Sequence, residues 1–480
     1  MKYFLSFDVG TTAMKCILFD TGFNQAAKVS KEYSLIIENG YTELDPEVYY
    51  NTLCTCISEI LNTGVNRDDI LSITFTTQGE TFLCVDKGGK PLTRAVIWLD
   101  ARADSEAKFI LNNIGTYEFY KTTGLWNPDG ALPLAKLLHI KKNTHDVYEK
   151  TYKFLLLEDY LVYRLTGKFV TEKSLASSTG WYDIINDRYY KDALQLCGIS
   201  EKKLPELSEC GETVGTVKDK FCGLSEKTEV VTGAMDQICS AIGAGNIREG
   251  VVTETTGTAL VLGAAIDVPQ FDESEPITVY RHFNGKYMYM PYCGTAGILL
   301  KWFKDVLGEK ICRTAKENGI SPYAEIDIFA EKSPPGSNGV IFLPDFSDSG
   351  KKGAFLGLTL ATTLEDMTRS VLEGIAYMLR EMLEQLSKKG IDTSEIYSLG
   401  GGSVSDIWCK IKSSVCNAKI FANTFGETTA LGAAVLAAVA LGEYESAEKA
   451  YAAVKTPVKP YAPDEKEREI YNKIYKELKK

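Results

Sequence analysis

Tyr3-Phe4-Leu5-Ser6-Phe7-Asp8-Val9-Gly10-Thr11-Thr12 opens the chain with an apolar strand signal that runs into a carboxylate and then a Gly-Thr turn. A second apolar run, Cys16-Ile17-Leu18-Phe19, comes at once, so the two runs read as the arms of a β-hairpin. The same setting returns about half a chain later: Val251-Val252-Thr253, then Thr255-Thr256-Gly257-Thr258, then Ala259-Leu260-Val261-Leu262. Two readings stand: unrelated Gly-Thr hairpins, or one element in two copies of a single domain. Four matched residues alone leave unrelated turns the simpler reading; the half-length offset raises that of duplication, from which a boundary near 246–250 would follow.

Outward from these hairpins, strand and helix signals alternate. Residues 70–76 and 81–85 read as a further strand pair, and 154–165 as a helix. Residues 364–390 carry helical periodicity through Met367, Val371, Leu372, Ile375, Met378, Leu379 and Leu383. A strand over 229–232 runs into Asp236 and a helix to 244; a strand over 396–399 meets glycines and a helix over 406–415. The pattern is α/β throughout.

The 480 residues suggest two to three domains, and 45% apolar with 24% charged residues is a globular balance, neither disordered nor collagenous. Lys plus Arg is 53 against 64 Asp plus Glu, a net charge of −11, which argues against a duplex-binding surface. Backbone amides and Mg²⁺ still allow an acidic protein to hold nucleotide. The 12 cysteines form no CxxC pair, and the 3 histidines (His139, His145, His282) are not spaced with them as a zinc site requires, so reduced scattered thiols are expected. No leader-like segment precedes Asp8, and the longest apolar run, 430–442, falls short of the ~18 residues of a membrane span. A soluble, cytoplasmic protein without membrane or nucleic-acid partners is the expectation.

A strand–Gly–Thr–strand turn offers N–H groups and a hydroxyl to an anion. Two such turns facing each other hold a polyphosphate from both sides. Only the first carries a carboxylate at its head, Asp8 against Thr255, so one side suits Mg²⁺ and the other the transferable phosphate. Leu399-Gly400-Gly401-Gly402-Ser403 lets a ligand lie on bare backbone at a helix start, without the spacing of a dinucleotide or Walker fingerprint. Asp236, in Gly233-Ala234-Met235-Asp236-Gln237, is either a helix N-cap or a general base for a substrate hydroxyl.

In this order and spacing the segments resemble the FGGY family of carbohydrate kinases, within the actin-like ATPase superfamily, over essentially the whole chain. Asp8 to Thr12 resembles the first phosphate motif, Thr256-Gly257-Thr258 the second, and Gly400-Gly401-Gly402 with Asp406 the adenosine motif. Asp236 falls at the catalytic base. Ile97-Trp98-Leu99-Asp100-Ala101-Arg102 resembles the W-x-D-x-R segment, while 353–358 and 369–374 resemble the C-terminal signature. The resemblance implies two ribonuclease-H-like domains flanking a central cleft, 1–246 mainly sugar-binding and 247–480 mainly nucleotide-binding. It implies ATP and Mg²⁺ as cofactors, a small sugar or polyol as substrate, and leaves room for a homodimer. Asp236 becomes the base; Gln78, Glu80, Trp98, Asp100, Asp236 and Gln237 contact substrate. Gly10, Thr11, Thr12, Gly257, Thr258, Gly401, Gly402 and Asp406 hold nucleotide, and Asp8 and Asp236 hold metal.

The sequence departs from individual members. In Thr77-Gln78-Gly79-Glu80-Thr81, Gly79 stands where glycerol kinases have Arg, and the Met-His of xylulokinases is missing there too. In the P-x-x-K stretch Leu132-Pro133-Leu134-Ala135-Lys136-Leu137-Leu138-His139, His139 replaces the usual Trp. The loop over 344–352 is short, and 334–337 with 346–348 faintly resembles kinases of autoinducer-2. A ketopentose such as D-xylulose is the best expectation, because the segment 98–102 leans that way. Ribulose, gluconate, erythritol, glycerol and autoinducer-2 stay open, as does an actin-like nucleotide switch without sugar transfer. Asp236, Glu80 and the segment 98–102 argue against the switch.

Overall fold

The computed structural model describes residues 1–219, 221–344, 352–455 and 457–479; the short-loop and autoinducer-2-like features at 345–351 lie outside them. The chain forms two compact units. The first comprises Met1–Ile247, Ile266–Met288 and Glu427–Lys455; the second comprises Arg248–Ala265, Tyr289–Gly426 and Thr456–Lys480.

In the first unit the strands are β1 (Tyr3–Val9), β2 (Ala13–Asp20), β3 (Gln25–Glu32), β4 (Ile70–Thr77), β5 (Thr213–Thr216) and β6 (Glu229–Met235), in sheet order β5-β6-β4-β1-β2-β3. β1 and β2 are the expected antiparallel hairpin, with Asp8 opposite Lys15; β4 runs parallel to both β1 and β6. The C-terminal ends of β1, β4 and β6 therefore share one sheet edge, and residues 10–12, 78–80 and 236 come directly after them. That edge is where open α/β sheets bind ligands. Helices Pro46–Leu61 and Thr428–Ala440 pack on the sheet. The apolar run 430–442 is thus a core helix, and no helix among the described residues is long and apolar enough to cross a membrane.

The second unit repeats this arrangement. β7 (Val252–Thr256), β8 (Leu260–Ile266), β9 (Tyr292–Cys293), β10 (Glu395–Leu399), β11 (Lys419–Asn423) and β12 (Val458–Tyr461) include a run β8-β7-β10-β11-β12, with β9 on β8. β7 is antiparallel to β8 and parallel to β10; β10 is parallel to β11, and β12 is antiparallel to β11. This matches β2-β1-β4-β6-β5 strand for strand, so the two Gly-Thr hairpins are one element occurring twice.

Three local expectations need correction. Residues 70–76 and 81–85 do not pair: β4 lies in the main sheet, whereas Phe82–Val85 joins a smaller sheet between Ala95–Val96 and Lys153–Leu156. The intervening turn redirects the chain, and both segments are so thoroughly buried that neither shows the alternation that would reveal its neighbour. The helix expected over 154–165 is a strand, Lys153–Leu156, followed by the helix Leu157–Thr166, because an unbroken apolar run does not distinguish the two. The thiols are not all reduced: Cys54 and Cys222 form a disulfide, 168 residues apart in sequence, with their Cα atoms 5.1 Å apart. Sequence spacing carries no trace of a pair brought together by the fold.

The helix Leu157–Thr166 begins with buried acids. Asp159 accepts the Leu156 N–H at 2.8 Å, and burial pushes its carboxyl up to about 8. The native state therefore keeps a proton that the unfolded chain releases near pH 4, and stability falls as pH rises from about 4 to about 8. Asp159→Asn keeps the hydrogen bond without the charge. Its melting temperature should exceed the wild type's by a margin that widens from pH 5 to pH 8; a margin independent of pH would contradict this account.

Candidate active site

At the first unit's edge, Gly10 closes the hairpin through its N–H to Ala13 O at 2.9 Å, leaving the Thr11 and Thr12 N–H groups outside the ladder. Tyr33 donates its hydroxyl to the carbonyls of Gly10 and Ala13. Thr11 Oγ1 donates to Gln78 Oε1 at 2.7 Å and accepts from Trp98 Nε1 at 3.0 Å, while Gln78 Nε2 donates to Tyr49 at 3.2 Å. Residues expected on the phosphate side and on the sugar side are thus joined by direct hydrogen bonds. Asp8 lies 3.7 Å from Lys15, which lies 3.4 Å from Glu427. Burial raises the Asp8 carboxyl, Lys15 opposes the rise, and Glu427 adds to it.

Asp236 is the first residue of the helix Asp236–Gly243, and Met235 holds the N-cap position. Its Oδ1 accepts the Gln237 N–H at 2.7 Å. The N-cap reading of Asp236 therefore does not hold. Burial, reinforced by the charge of Asp8, pushes its carboxyl up to about 7. Glu80, at a left-handed φ of 63°, is also pushed up to about 7 by burial; Lys136 opposes this, while Asp129 and Asp236 push the same way. Lys136 is wholly buried and donates to Ile97 O at 2.9 Å.

Asp100 sits differently from the expectation of a substrate contact. One oxygen accepts the Arg102 N–H and Nε, the other the Thr42 N–H and the Arg102 Nη2, so both oxygens are engaged within the chain. Tyr280 is a neighbour the sequence did not indicate: burial and the charges of Glu80 and Asp236 all raise its phenol. Only the return of 266–288 to the first unit brings it there.

In the second unit β7 ends in the turn at Gly257, whose N–H bonds Ala259 O at 2.9 Å. β10 ends in Gly400 (φ 73°), and the helix Asp406–Cys416 comes next, capped by Ser405 Oγ on the Trp408 N–H. Thr256, Gly257, Thr258, Gly401 and Gly402 line one cavity of about 500 Å³, together with Asp327 and Ser405. A Cβ on Gly402 would stand 2.7 Å from the Thr256 Cβ, so the two motifs meet only because this residue is glycine. Ser405 donates to Asp327 at 2.8 Å, and burial pushes Asp327 up to about 6. Asp406 does not line the cavity; its carboxylate takes the Lys459 ammonium and the Tyr461 hydroxyl. The stretch 369–374 is structural: Arg369 and Glu373 bond each other and Tyr471, and Glu373 also takes the Gly336 N–H.

What fixes the second turn is the wholly buried Lys412, whose ammonium bonds both Glu254 oxygens at 3.0 and 3.1 Å and Thr256 Oγ1 at 3.0 Å. Lys412→Met would strand the Glu254 charge and should cost about 3–5 kcal/mol. Adding Glu254→Gln should restore most of it. Chemical denaturation of the single and double variants reads the difference; equal losses in both would contradict the pairing.

Comparison with known proteins agrees with this geometry. Residues 3–243 match the FGGY family of carbohydrate kinases, N-terminal domain, and 253–441 its C-terminal domain. The chain is 28% identical to a xylulose kinase of Staphylococcus xylosus, covering 100% of both chains. It is 28% identical to a gluconokinase of Bacillus subtilis, over 93% of this chain and 89% of that one. The crystal structure of a ligand-bound xylulose kinase from Lactobacillus acidophilus superposes with a TM-score of 0.90 at 26% identity, covering 99% of this chain and 96% of that one.

Proposed function

Since the chain belongs to the FGGY family of carbohydrate kinases, we propose that it transfers the terminal phosphoryl group of ATP to a terminal hydroxyl of a neutral sugar, best a ketopentose such as D-xylulose, in the cytoplasm. The carrying observation is the charge around Glu80. Two of its charged neighbours are the carboxylates Asp129 and Asp236, set against the ammonium of Lys136. That surrounding suits hydroxyl groups, which donate to carboxylates, and disfavours a sugar acid. The xylulose kinases among the relatives support the ketopentose.

In this reading Asp236 accepts the proton of the attacking hydroxyl, its raised pKa matching that task near neutrality. Glu80, Gln78, Trp98 and Gln237 orient the sugar, and Asp100 acts from behind by holding Arg102 and its loop. Gly10, Thr11 and Thr12 in the first unit, and Gly257 and Thr258 in the second, present donors to phosphate oxygens; Gly401 and Gly402 leave bare backbone for the nucleoside. Asp8 and Asp236 fit Mg²⁺: both are hard oxygen donors raised by burial, and the charge of Asp8 adds to the shift at Asp236. No group of three or more His, Cys, Asp or Glu is gathered among the described residues, which suits an ion that keeps several waters. When bound, the ion neutralises charge on the phosphate oxygens.

An ADP-release screen of ketoses, polyols and sugar acids tests the substrate. The highest kcat/KM should belong to a ketopentose. Glycerol should be poor, because Gly79 supplies no guanidinium fork and even a Cβ there would stand 3.1 Å from Met235 Sδ. A kcat/KM for glycerol or gluconate at or above that of every ketose would overturn the proposal.

Asp236→Asn should lower kcat by roughly 10²-fold or more with no fall in melting temperature and little change in KM, since the amide still hydrogen-bonds the hydroxyl. A folded variant with wild-type turnover would remove Asp236 from the reaction.

A further inference from the structure

Immediately before Asp236 the strand β6 is irregular. It pairs with β4 in register from Glu229 to Val231, then slips: Val231 faces Thr74, but Ala234 faces Thr76. Residues 232 and 233 thus stand against Phe75 alone, a one-residue bulge of the kind that re-aims the residues after it. Gly233 is required there, since a Cβ would fall 1.5 Å from the Phe75 carbonyl oxygen. On the other side of β6, β5 pairs as far as Val231, and Gly211 and Glu212 bond the Thr232 backbone before the pairing ends. The N–H groups of Gly233 and Met235 lie beyond it.

Both are met by side chains. The Gly233 N–H donates to Glu158 Oε1 at 2.8 Å, and the Met235 N–H to Ser174 Oγ at 2.9 Å. Ser174 in turn donates to Glu172 Oε1 at 2.7 Å. Glu158, Glu172 and Ser174 are all essentially inaccessible to solvent. Two buried carboxyls placed behind an interior bulge are a costly arrangement for a fold to keep unless they hold something.

We propose that Glu158, seconded by Ser174, is a positioning residue for Asp236: it clamps the bulge that sets where the helix Asp236–Gly243 begins, and so where the carboxylate of the general base stands. The inference rests on the reading of Asp236 as that base. Glu158 touches neither substrate nor reacting atoms; it acts through the backbone of 233–235. Burial, reinforced by Glu172, raises its carboxyl well above the ordinary range, and an amide, uncharged and able to accept the same N–H, can replace it. Loss of the clamp leaves a buried N–H unpaired and lets the strand end shift, and misplacement of a reacting group by about 1 Å is worth up to roughly 10²-fold in rate.

The test is steady-state kinetics of the full chain with its best substrate from the screen, on Glu158→Gln, Glu158→Leu, Ser174→Ala and Asp236→Asn. Glu158→Gln should keep kcat within about twofold of wild type, as the amide carbonyl accepts the same N–H. Glu158→Leu should lose about tenfold or more in kcat while the KM values for sugar and ATP stay within about threefold, the pattern of a lost transition-state alignment. Ser174→Ala, a change small enough to fold if Glu158→Leu does not, should lose kcat several-fold in the same pattern. Wild-type kcat in Ser174→Ala and Glu158→Leu, or a kcat loss in Glu158→Gln as deep as in Glu158→Leu, overturns the clamp. So does a rise in KM that accounts for the whole effect. Asp236→Asn separates the two ideas: if it is inactive while the other variants are normal, only the clamp fails, whereas full turnover in Asp236→Asn fails the general-base reading and the clamp with it.

Discussion

A lysine ammonium with no access to water, Lys412, holds the second unit's Gly-Thr turn in shape. Its three donors go to the two oxygens of Glu254 and the hydroxyl of Thr256, and Ser398 adds a further bond to Glu254. One point thereby ties β7 to β10 and to the helix Asp406–Cys416. The Gly257 turn leaves from β7, and Gly400 to Gly402 leave from β10. Burying an ion pair gains little stability over an apolar equivalent, but misplacing either partner is expensive. The consequence is geometric: Thr256 and Gly402 keep a spacing that no side chain at 402 would permit.

The first unit reaches the same topology by other means. Its equivalent turn is held by neutral partners: Tyr33 on the Gly10 and Ala13 carbonyls, and Gln78 and Trp98 on Thr11. Asp8, Glu80 and Asp236, which follow the strand ends of that unit, are each raised by burial, with Lys15 opposing the rise at Asp8 and Lys136 at Glu80. The two units thus share a topology and differ in what holds the turn, neutral side chains in one and a buried ion pair in the other.

Residues with signature-like spacing divide into those that stand at a strand end and those that brace. The turns after β1, β4, β6, β7 and β10 all begin at the C-terminal ends of parallel strands. The 98–102 segment contributes Trp98 to the Thr11 network, but its Asp100 and Arg102 satisfy each other. The 369–374 stretch is wholly internal, tying a long helix to the C-terminal helix through Tyr471. Asp406 binds Lys459 and Tyr461 instead of facing the cavity. A motif's spacing reports that a position is constrained without saying whether by ligand or by packing.

The two hairpins, the strand–Gly–helix junction and the Asp236 helix were legible because each is a local event: an apolar run, a turn residue and a change of period within ten residues or so. The α/β class and the residues at strand ends were read from them, and the duplication stood as one of two readings. The pairing of 82–85 with 153–156, the Cys54–Cys222 bond and the approach of Tyr280 to Glu80 and Asp236 were not legible. Each joins segments roughly 40 to 200 residues apart, and side-chain period carries no information about a partner at that distance. The bulge at 232–233 was hidden for a related reason. From sequence the strand ends at 232 and 233–235 is only the run into Asp236; the slipped pairing with β4 and the side chains of Glu158 and Ser174 reveal the bulge. Local sequence chose which residues stand at the ends of strands; tertiary packing decided which way they point, because the partners of their backbone groups come from distant parts of the chain.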